Sequence, residues 1–311
     1  MRILFVSSGN YSGRISPIIK AQGNSLQSHG IIVDYFPING KGIWGYLKGI
    51  KPLRKSIKLN TYDVVHAHYS LSSYIALLAK ANPLVVSLMG SDLSHGYLSR
   101  FIIILLHKYL WSKTIVKSEQ MQNELKVEGS ELIPNGVDLD VFRPLDKEDC
   151  RRKLGWSNDT FHILFLADPD RPEKNFKLAN SAVNLLKSKI RINLHVLKNI
   201  EHNDVPLFIN SADLNILCSL WEGSPNVIKE AMACCVPIVA TNVGDIKWIF
   251  ENIEGCYISS FDEYEFAKKI EQALTYQGKT EGWKRIIELK LDANSVAEKL
   301  IKVYYQVAKG K

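Results

Sequence analysis

Cysteine is scarce in this sequence and is not spaced for a metal site or a disulfide framework. The 311 residues contain 5 Cys, an odd number, and no Cys-x-x-Cys pair. There are only 11 Pro, and the longest unbroken apolar run is six residues, as in residues 101–106. The small numbers of Cys and Pro disfavour a disulfide scaffold and a collagen-like protein. The short apolar runs disfavour a membrane-spanning protein, because a spanning helix needs about 20 apolar residues. The N-terminus runs straight into a loop, so we expect a cytoplasmic protein without a signal peptide.

Positive charge is concentrated in the first half of the chain. The net charge is +7; residues 1–143 carry 16 Lys+Arg against 9 Asp+Glu, whereas residues 144–311 carry 23 of each. Such asymmetry indicates an anionic partner on one side, which from charge alone is nucleic acid, acidic lipid or a phosphorylated substrate.

Short β-branched runs alternate with helix-length segments in two series. The runs are residues 3–6, 31–35, 63–66, 84–88 and 114–116, then 161–166, 192–197, 214–217, 237–240 and 257–259. Nearly continuous apolar strands between helices predict parallel sheets covered on both faces. We therefore predict an α/β fold with two Rossmann-like, doubly wound domains, residues 1–143 and 144–294. Residues 295–311 are predicted to form a helix that packs back on the first domain.

Residues 221–233 carry the most informative local pattern. Ser224 is predicted to cap a helix that starts at Pro225, and free N–H groups beside Gly223 can receive phosphate or sugar oxygens. Glu222 in the loop and Glu230 in the helix offer carboxylates that suit paired hydroxyls of a ribose or hexose. From spacing alone, an ordinary Ser-Pro helix start with a solvated glutamate is an equal alternative.

This segment resembles a known family signature. Glu222-Gly-Ser-Pro-Asn, Glu230-Ala-Met-Ala and Val236-Pro-Ile-Val-Ala-Thr resemble the Glu-x7-Glu motif of the family-4 retaining glycosyltransferases. Four other segments resemble motifs of that family in the same order: residues 62–68, 85–92, 133–144 and 171–175. The resemblance covers about residues 1–250 and implies the GT-B fold, in which two Rossmann-like domains face across a cleft.

The resemblance also implies an activity. It implies a hexosyltransferase-type enzyme that retains the anomeric configuration, needs no metal or other cofactor, and uses a UDP-sugar or GDP-sugar as donor substrate. The acceptor implied is a growing glycan or a polyprenyl- or other lipid-linked glycan, as in exopolysaccharide or lipopolysaccharide synthesis.

Site residues follow from the resemblance by position. Lys174 matches the lysine that neutralises the donor diphosphate, a role for a fixed cation near a leaving group that gains negative charge. The catalytic set implied is Glu222, Lys174 and Arg171. The donor-binding set is Glu230, Gly223, Ser224, Pro225, Asn226, Gly9 and Gly13. His68 and Asp92 are expected on the acceptor side; for a histidine at a strand end, a satisfied structural role is the stronger alternative.

Three positions depart from the family pattern. Asp168 stands where an Arg usually precedes the loop lysine, and Arg171 is a candidate replacement. Met89 stands where a His is common, and Cys235 where a Gly often closes the helix of Glu230. These departures motivate an alternative function, a non-catalytic or regulatory sugar-nucleotide-binding subunit. The Asp-x-Asp pairs that start at Asp138 and at Asp168 are interpreted as turns, not as metal ligands.

A basic segment accounts for much of the charge excess. It begins at Lys41, ends at Lys58, and contains six cations with Trp44 and Tyr46 as aromatic anchors. Such a segment can bind the headgroups of an anionic bilayer, so we expect peripheral contact with the inner face of the plasma membrane; a solvated surface helix is an equal alternative. Residues 99–113 are interpreted as a core-packing helix, with a share in the same membrane-binding surface as the alternative. We expect no nucleic-acid partner, since no recognition motif supports one.

Overall fold

The structure is a computed structural model that describes part of the chain. The described residues are 1–10, 15–40, 42–94 and 96–310, without the side chains of Ile43, Leu93 and Ser94. Gly13 and Lys41, for which the sequence raised expectations, lie outside the described residues.

The chain passes twice between two compact units. Unit one comprises Met1–Gly136 and Ala293–Lys311, and unit two comprises Val137–Asp292. Residues 137–143 therefore belong to unit two, where Phe142 is part of the hydrophobic core.

Unit one is built on a parallel sheet of six strands in the described part of the chain. The strands are β1 (Arg2–Ser8), β2 (Ile32–Ile38), β3 (Val64–His68), β4 (Leu84–Ser87), β5 (Lys113–Val116) and β6 (Glu131–Leu132). Their order is β2-β1-β3-β4-β5-β6. Five of them coincide with the predicted apolar runs. Strand β6 was not predicted, because two residues are too few to display a period.

Helices flank the sheet of unit one. They are α1 (Pro17–Ser28), α2 (Gly42–Leu47), α3 (Ile50–Leu59), α4 (Ser70–Leu78), α5 (Tyr97–Tyr109) and α6 (Glu119–Leu125), with a 3₁₀ turn over Gly90–Ser94. The interpretation of residues 99–113 as a core-packing helix holds for one side of the segment, where Ile103 and Trp111 belong to a core cluster. Within α5, Ile103 alone is fully buried, and most of its other apolar side chains are exposed.

Unit two contains a second parallel sheet. Its strands are β7 (Phe161–Phe165), β8 (Ile192–Val196), β9 (Leu214–Leu217), β10 (Ile238–Thr241) and β11 (Cys256–Ser259). Their order is β11-β10-β9-β7-β8. Since parallel strands end at the same edge, the loops that follow β8, β7, β9 and β10 lie along one edge of this sheet.

Seven helices accompany this sheet in unit two, all of whose residues are described. They are α7 (Lys147–Leu154), α8 (Phe176–Leu186), α9 (Val205–Ser211), α10 (Asn226–Ala233), α11 (Ile246–Phe250), α12 (Glu263–Leu274) and α13 (Gly282–Glu288), with a 3₁₀ turn over Pro172–Lys174. Helix α7 shows how the sequence sets helix ends. The Asp146 side chain accepts a hydrogen bond from the Asp149 backbone N–H at 2.8 Å, and Gly155 ends the helix with φ 68°.

The last helix, α14 (Ala293–Lys309), belongs to unit one. Val296, Leu300, Val303 and Tyr304 form one buried stripe at helical spacing, and they share a core cluster with apolar residues of β1. The Tyr304 hydroxyl lies 2.7 Å from Nδ1 of the buried His66 on β3. Helix α14 thus supplies part of the core of unit one.

Candidate functional site

An ion pair joins two of the four loops at the carboxyl edge of the unit-two sheet. Lys174, in the turn after β7, pairs through Nζ with Oε1 of Glu222, in the loop after β9. Ser219 Oγ donates a hydrogen bond to the same Glu222 oxygen at 2.7 Å. The side chains of Lys174 and Glu222 are 12% and 14% exposed, so the pair is shielded but reachable from solvent.

Backbone contacts hold the same loops in place. The Leu220 N–H donates to the Glu173 carbonyl at 2.9 Å. Gly244, in the loop after β10, has φ +61°, and a Cβ added to it would lie 2.5 Å from the Gly223 carbonyl oxygen. A side chain at residue 244 would therefore clash with the loop that carries Glu222.

The start of α10 differs from the sequence-based expectation. Ser224 does not cap the helix; Pro225 occupies the cap position, the helix begins at Asn226, and no side chain caps its first N–H groups. Ser224 Oγ instead accepts a hydrogen bond from Lys229 Nζ at 3.0 Å. Because the Ser224 hydroxyl is bonded to the Lys229 ammonium group, it does not bond to the first N–H groups of α10. These N–H groups are therefore available to bind an anion.

Two buried charged groups, Lys229 and Asp245, adjoin Ser224, and no sequence motif marks either of them. Burial lowers the pKa of Lys229 to about 8, against the opposing influence of the Asp245 and Glu230 carboxylates. Burial also raises the pKa of Asp245 to about 6, and the Lys229 ammonium opposes this rise. A lysine in an amphipathic helix is ordinarily exposed, so only the packing identifies Lys229 as an internal group.

Glu230 has a histidine partner. His202, in the segment between β8 and α9, lies with Nε2 3.1 Å from Glu230 Oε1, and Glu230 is almost fully buried. The hydrogen bond to Glu230 raises the pKa of His202, although burial opposes the rise. The Phe142 ring contacts the imidazole edge-on at 5.3 Å between centroids. No motif marks His202, because it is 28 residues from its partner in a loop without periodicity.

Arg171 pairs with Glu173 in its own turn. Its Nε donates to Glu173 Oε1 in the same turn at 2.7 Å, and its side chain is exposed. Asp168 Oδ1 accepts a hydrogen bond from the Asp170 backbone N–H at 3.0 Å, and Asp170 pairs with Lys198 Nζ at 2.5 Å. The Asp-x-Asp pair that starts at Asp168 thus forms a turn.

The expected residues of unit one have structural partners. The Gly9 N–H donates to the Ile38 carbonyl at 2.8 Å, and a Cβ on Gly9 would lie 2.2 Å from Asn39 Oδ1. Asp92 is buried and accepts hydrogen bonds from the backbone N–H groups of Met89 at 2.7 Å and Ser70 at 3.3 Å. The carboxylate of Asp92 therefore fixes the loop that contains Met89.

His68 is a buried neutral imidazole. Burial, with a further contribution from the Lys117 ammonium, lowers its pKa to about 3. Its Nε2 lies 2.8 Å from Gln22 Oε1, and its ring stacks on His66 with centroids 4.2 Å apart.

No helix in the described part of the chain has the length and apolar character that crossing a bilayer requires.

Comparison with protein families identifies the class. The model for "Glycosyl transferases group 1" matches residues 184–288, and the model for "Glycosyltransferase Family 4" matches residues 18–141. Together they match well over half of the chain, with one match centred on each unit. The chain belongs to glycosyltransferase family 4, as the motif resemblance predicted.

Individual relatives are more distant. The chain is 25% identical to "Putative teichuronic acid biosynthesis glycosyltransferase TuaC" of Bacillus subtilis, over 86% of this chain and 79% of that protein. It is also 25% identical to "UDP-Gal:alpha-D-GlcNAc-diphosphoundecaprenol alpha-1,3-galactosyltransferase" of Escherichia coli, over 66% of this chain and 64% of that protein. The chain therefore spans less than two thirds of the second relative's length.

Solved structures confirm the GT-B fold. A glycosyltransferase from Rickettsia africae superposes with a TM-score of 0.75 at 16% identity, over 100% of this chain and 99% of that one. Anabaena HepE in complex with UDP and glucose superposes with a TM-score of 0.72 at 17% identity, over 98% and 100% of the two chains.

Proposed function

We propose that this glycosyltransferase transfers a sugar from a nucleoside-diphosphate sugar to a glycan or lipid-linked acceptor in cell-surface polysaccharide synthesis. The observation that carries the proposal is the Lys174–Glu222 pair, which lies beside the uncapped N-terminus of α10, the helix that also carries Glu230.

The donor would bind at the carboxyl edge of the unit-two sheet. Lys174 and the free N–H groups of α10 would hold the diphosphate, and the fixed charge of Lys174 would stabilise the leaving nucleotide as negative charge develops on it. Glu230, held by His202, would accept hydrogen bonds from the ribose hydroxyls. Both UDP-sugars and GDP-sugars suit this arrangement; the names of HepE in its UDP complex and of the E. coli relative favour UDP.

We propose that transfer retains the anomeric configuration and needs no metal ion. The bond from C1 to the phosphate oxygen breaks, the acceptor oxygen attacks C1 from the same face, and the departing phosphate takes the acceptor proton. A covalent intermediate on Glu222 is disfavoured, because Lys174 and Ser219 both engage its Oε1 and reduce its nucleophilicity. Product NMR should show the donor's anomeric configuration, and EDTA should not lower the rate.

Segment 41–58 would contact anionic headgroups, as the charge distribution suggested. In α3, Lys51, Lys55 and Lys58 are exposed at helical spacing on one side, while Arg54 is held by the Leu78 carbonyl at 2.6 Å. Each lysine near an anionic bilayer contributes about 1 kcal/mol.

A sugar-nucleotide panel tests the donor site. Purified protein is screened with UDP-sugars and GDP-sugars for thermal stabilisation, and then for nucleotide release with glycan and lipid-linked acceptors. Glu230→Gln should abolish the stabilisation by the preferred donor, whereas the exposed Glu298→Gln should behave as wild type.

Two outcomes would contradict the proposal. If the preferred sugar nucleotide stabilised wild type and Glu230→Gln equally, Glu230 would not be part of the donor site. Donor binding without turnover on any acceptor would support the alternative of a non-catalytic subunit, although the relatives reported above are all described as glycosyltransferases.

A further inference from the structure

Helix α10 starts in a way that its own sequence disfavours. A serine directly before a proline ordinarily caps a helix in which the proline is the first residue. Ser224 and Pro225 have this order, yet Pro225 is the cap residue, with φ −70° and ψ 117°, and the helix begins at Asn226. A contact from outside this segment therefore determines where the Ser224 hydroxyl lies.

Lys229 makes that contact. Its Nζ donates a hydrogen bond to Ser224 Oγ at 3.0 Å, and the whole Lys229 side chain is buried. A hydrogen bond from a charged donor is about twice as strong as one from a neutral backbone N–H. The Ser224 hydroxyl therefore gains more from the Lys229 ammonium than from capping the helix.

Asp245, the residue before α11, stabilises the buried ammonium group. Burial lowers the pKa of Lys229, and the Asp245 carboxylate opposes this fall. Burial raises the pKa of Asp245 in turn, and the Lys229 ammonium opposes that rise. The two buried charges thus stabilise each other, and the position of Lys229 is tied to the loop after β10 as well as to α10.

We propose that Lys229 is a positioning residue of the donor site, which withholds the Ser224 hydroxyl from the N-terminus of α10. Without the ammonium group, Ser224 would cap the helix, and only the ψ angle of Pro225 must change for this. A Ser224 cap would engage the N–H groups of Asn226 or Val227, which the proposed function assigns to the diphosphate. This inference rests on the proposed function and deepens it, because it names the residue that keeps the diphosphate site open.

A direct electrostatic effect of Lys229 on the diphosphate is the competing explanation. Lys229 is fully buried and so has no surface through which to contact a ligand, but its charge acts through space. That effect would be the same whichever side chain stands at residue 224. The positioning role, in contrast, depends on the Ser224 hydroxyl, so the two explanations predict different results when both residues are changed.

The test is a double-mutant cycle in the full-length protein. Lys229→Met, Ser224→Ala and the two together are compared with wild type, and each substitution keeps the backbone N–H and C=O groups. Arg151→Met is the matched control, because it removes another buried cation of unit two, one that pairs with Asp213 at 2.6 Å. The Kd values for UDP and for GDP are measured by titration calorimetry, with circular dichroism and thermal unfolding of every variant.

Lys229→Met should raise the Kd of the nucleoside diphosphate about fivefold or more, because binding must then break a serine cap. In Ser224→Ala protein the same substitution should change the Kd less than about twofold, as for independent sites. Arg151→Met should lose stability but bind as wild type does. Without ligand, hydrogen exchange at the Asn226 or Val227 amide should be slower in Lys229→Met than in wild type, and the double variant should lack this protection.

An equal rise of the Kd in both backgrounds, or an unchanged Kd in Lys229→Met, would overturn the inference and leave the proposed function standing. Failure of the wild type to bind either UDP or GDP would instead reject the proposed donor site, and this inference with it. If Lys229→Met does not fold, Lys229→Met/Asp245→Asn takes its place in the cycle, because that variant leaves neither of the two buried charges without its partner.

Discussion

Lys174 and Glu222 are 48 residues apart in the chain and are joined by an ion pair that links the loops after β7 and β9. Before a donor binds, the positive charge on Lys174 is therefore balanced by the carboxylate of Glu222. A diphosphate that enters the site meets a cation already held in position, so little reorganisation is needed.

Replacing Lys174 by methionine tests this role in the reaction. Lys174→Met should lower kcat/KM for the donor by about 10²–10³-fold, because a fixed charge next to the leaving group is lost. The measurement is nucleotide release under saturating acceptor. Lys177→Met, an exposed lysine on α8, is the control and should retain activity. Similar activity of the two variants would show that Lys174 does not act on the leaving group.

The close approach of Gly244 to Gly223 gives a prediction about loop position. Gly244→Ala should displace the Glu222 loop and weaken donor binding, measured by titration calorimetry. Gly155→Ala is the control, since Gly155 also has a positive φ but has nothing within 4 Å of an added Cβ. Both substitutions should cost about 1 kcal/mol or more of stability, whereas only Gly244→Ala should affect the donor. A normal donor affinity in Gly244→Ala would show that the contact with Gly223 is not needed.

The His202–Glu230 hydrogen bond predicts a pH dependence of stability. Glu230 raises the folded-state pKa of His202 above its ordinary value of 6.5. The stabilisation is therefore fully present below about pH 6.5 and is lost as pH rises through the folded-state pKa. The free energy of unfolding of wild type should exceed that of His202→Gln most at low pH, and the difference should shrink toward alkaline pH in urea titrations.

The same comparison in the Glu230→Gln protein tests whether Glu230 causes the pH dependence of stability. The Glu230→Gln protein lacks the carboxylate that pairs with His202. In this protein, the loss in free energy of unfolding caused by His202→Gln should therefore not vary with pH. If the pH dependence persists in Glu230→Gln, another group is responsible.

The strands and the helix ends could be predicted from the sequence, because they depend on residues that are close together in the chain. Strands such as β1 and β9 are continuous apolar runs, and such runs between helices predict a parallel α/β sheet. Gly155 and Asp146 define the ends of α7 by their own chemistry. The family resemblance also implied that Lys174 and Glu222 belong to one site, and the structure joins them in an ion pair.

Other features depend on residues far apart in the chain and could not be predicted. The pairing of His202 with Glu230 and the burial of Lys229 depend on how β8, α9 and α10 pack, which a single sequence does not reveal. The cap of α10 was mispredicted for a related reason, since Lys229 takes the Ser224 hydroxyl that would have capped the helix.

The end of α10 gives a prediction about backbone strain. Cys235 has φ 58°, a left-handed conformation that favours glycine, whereas the adjacent Cys234 has φ −82°. Both side chains are buried. Cys235→Gly should relieve about 1 kcal/mol of strain that partly offsets the lost burial, and Cys234→Gly should not. In thermal unfolding, Cys234→Gly should therefore be less stable than Cys235→Gly by about 1–2 kcal/mol. The reverse order would show that Cys235 is not strained.

The position of α14 has a consequence for the order of folding during synthesis. Unit two is continuous in sequence, so it can fold as soon as residue 292 has left the ribosome. One of the two core clusters of unit one lacks Val296, Leu300 and Tyr304 until α14 has been translated. The core of unit one is therefore completed only after all residues of unit two have been translated, although unit one begins first in the sequence.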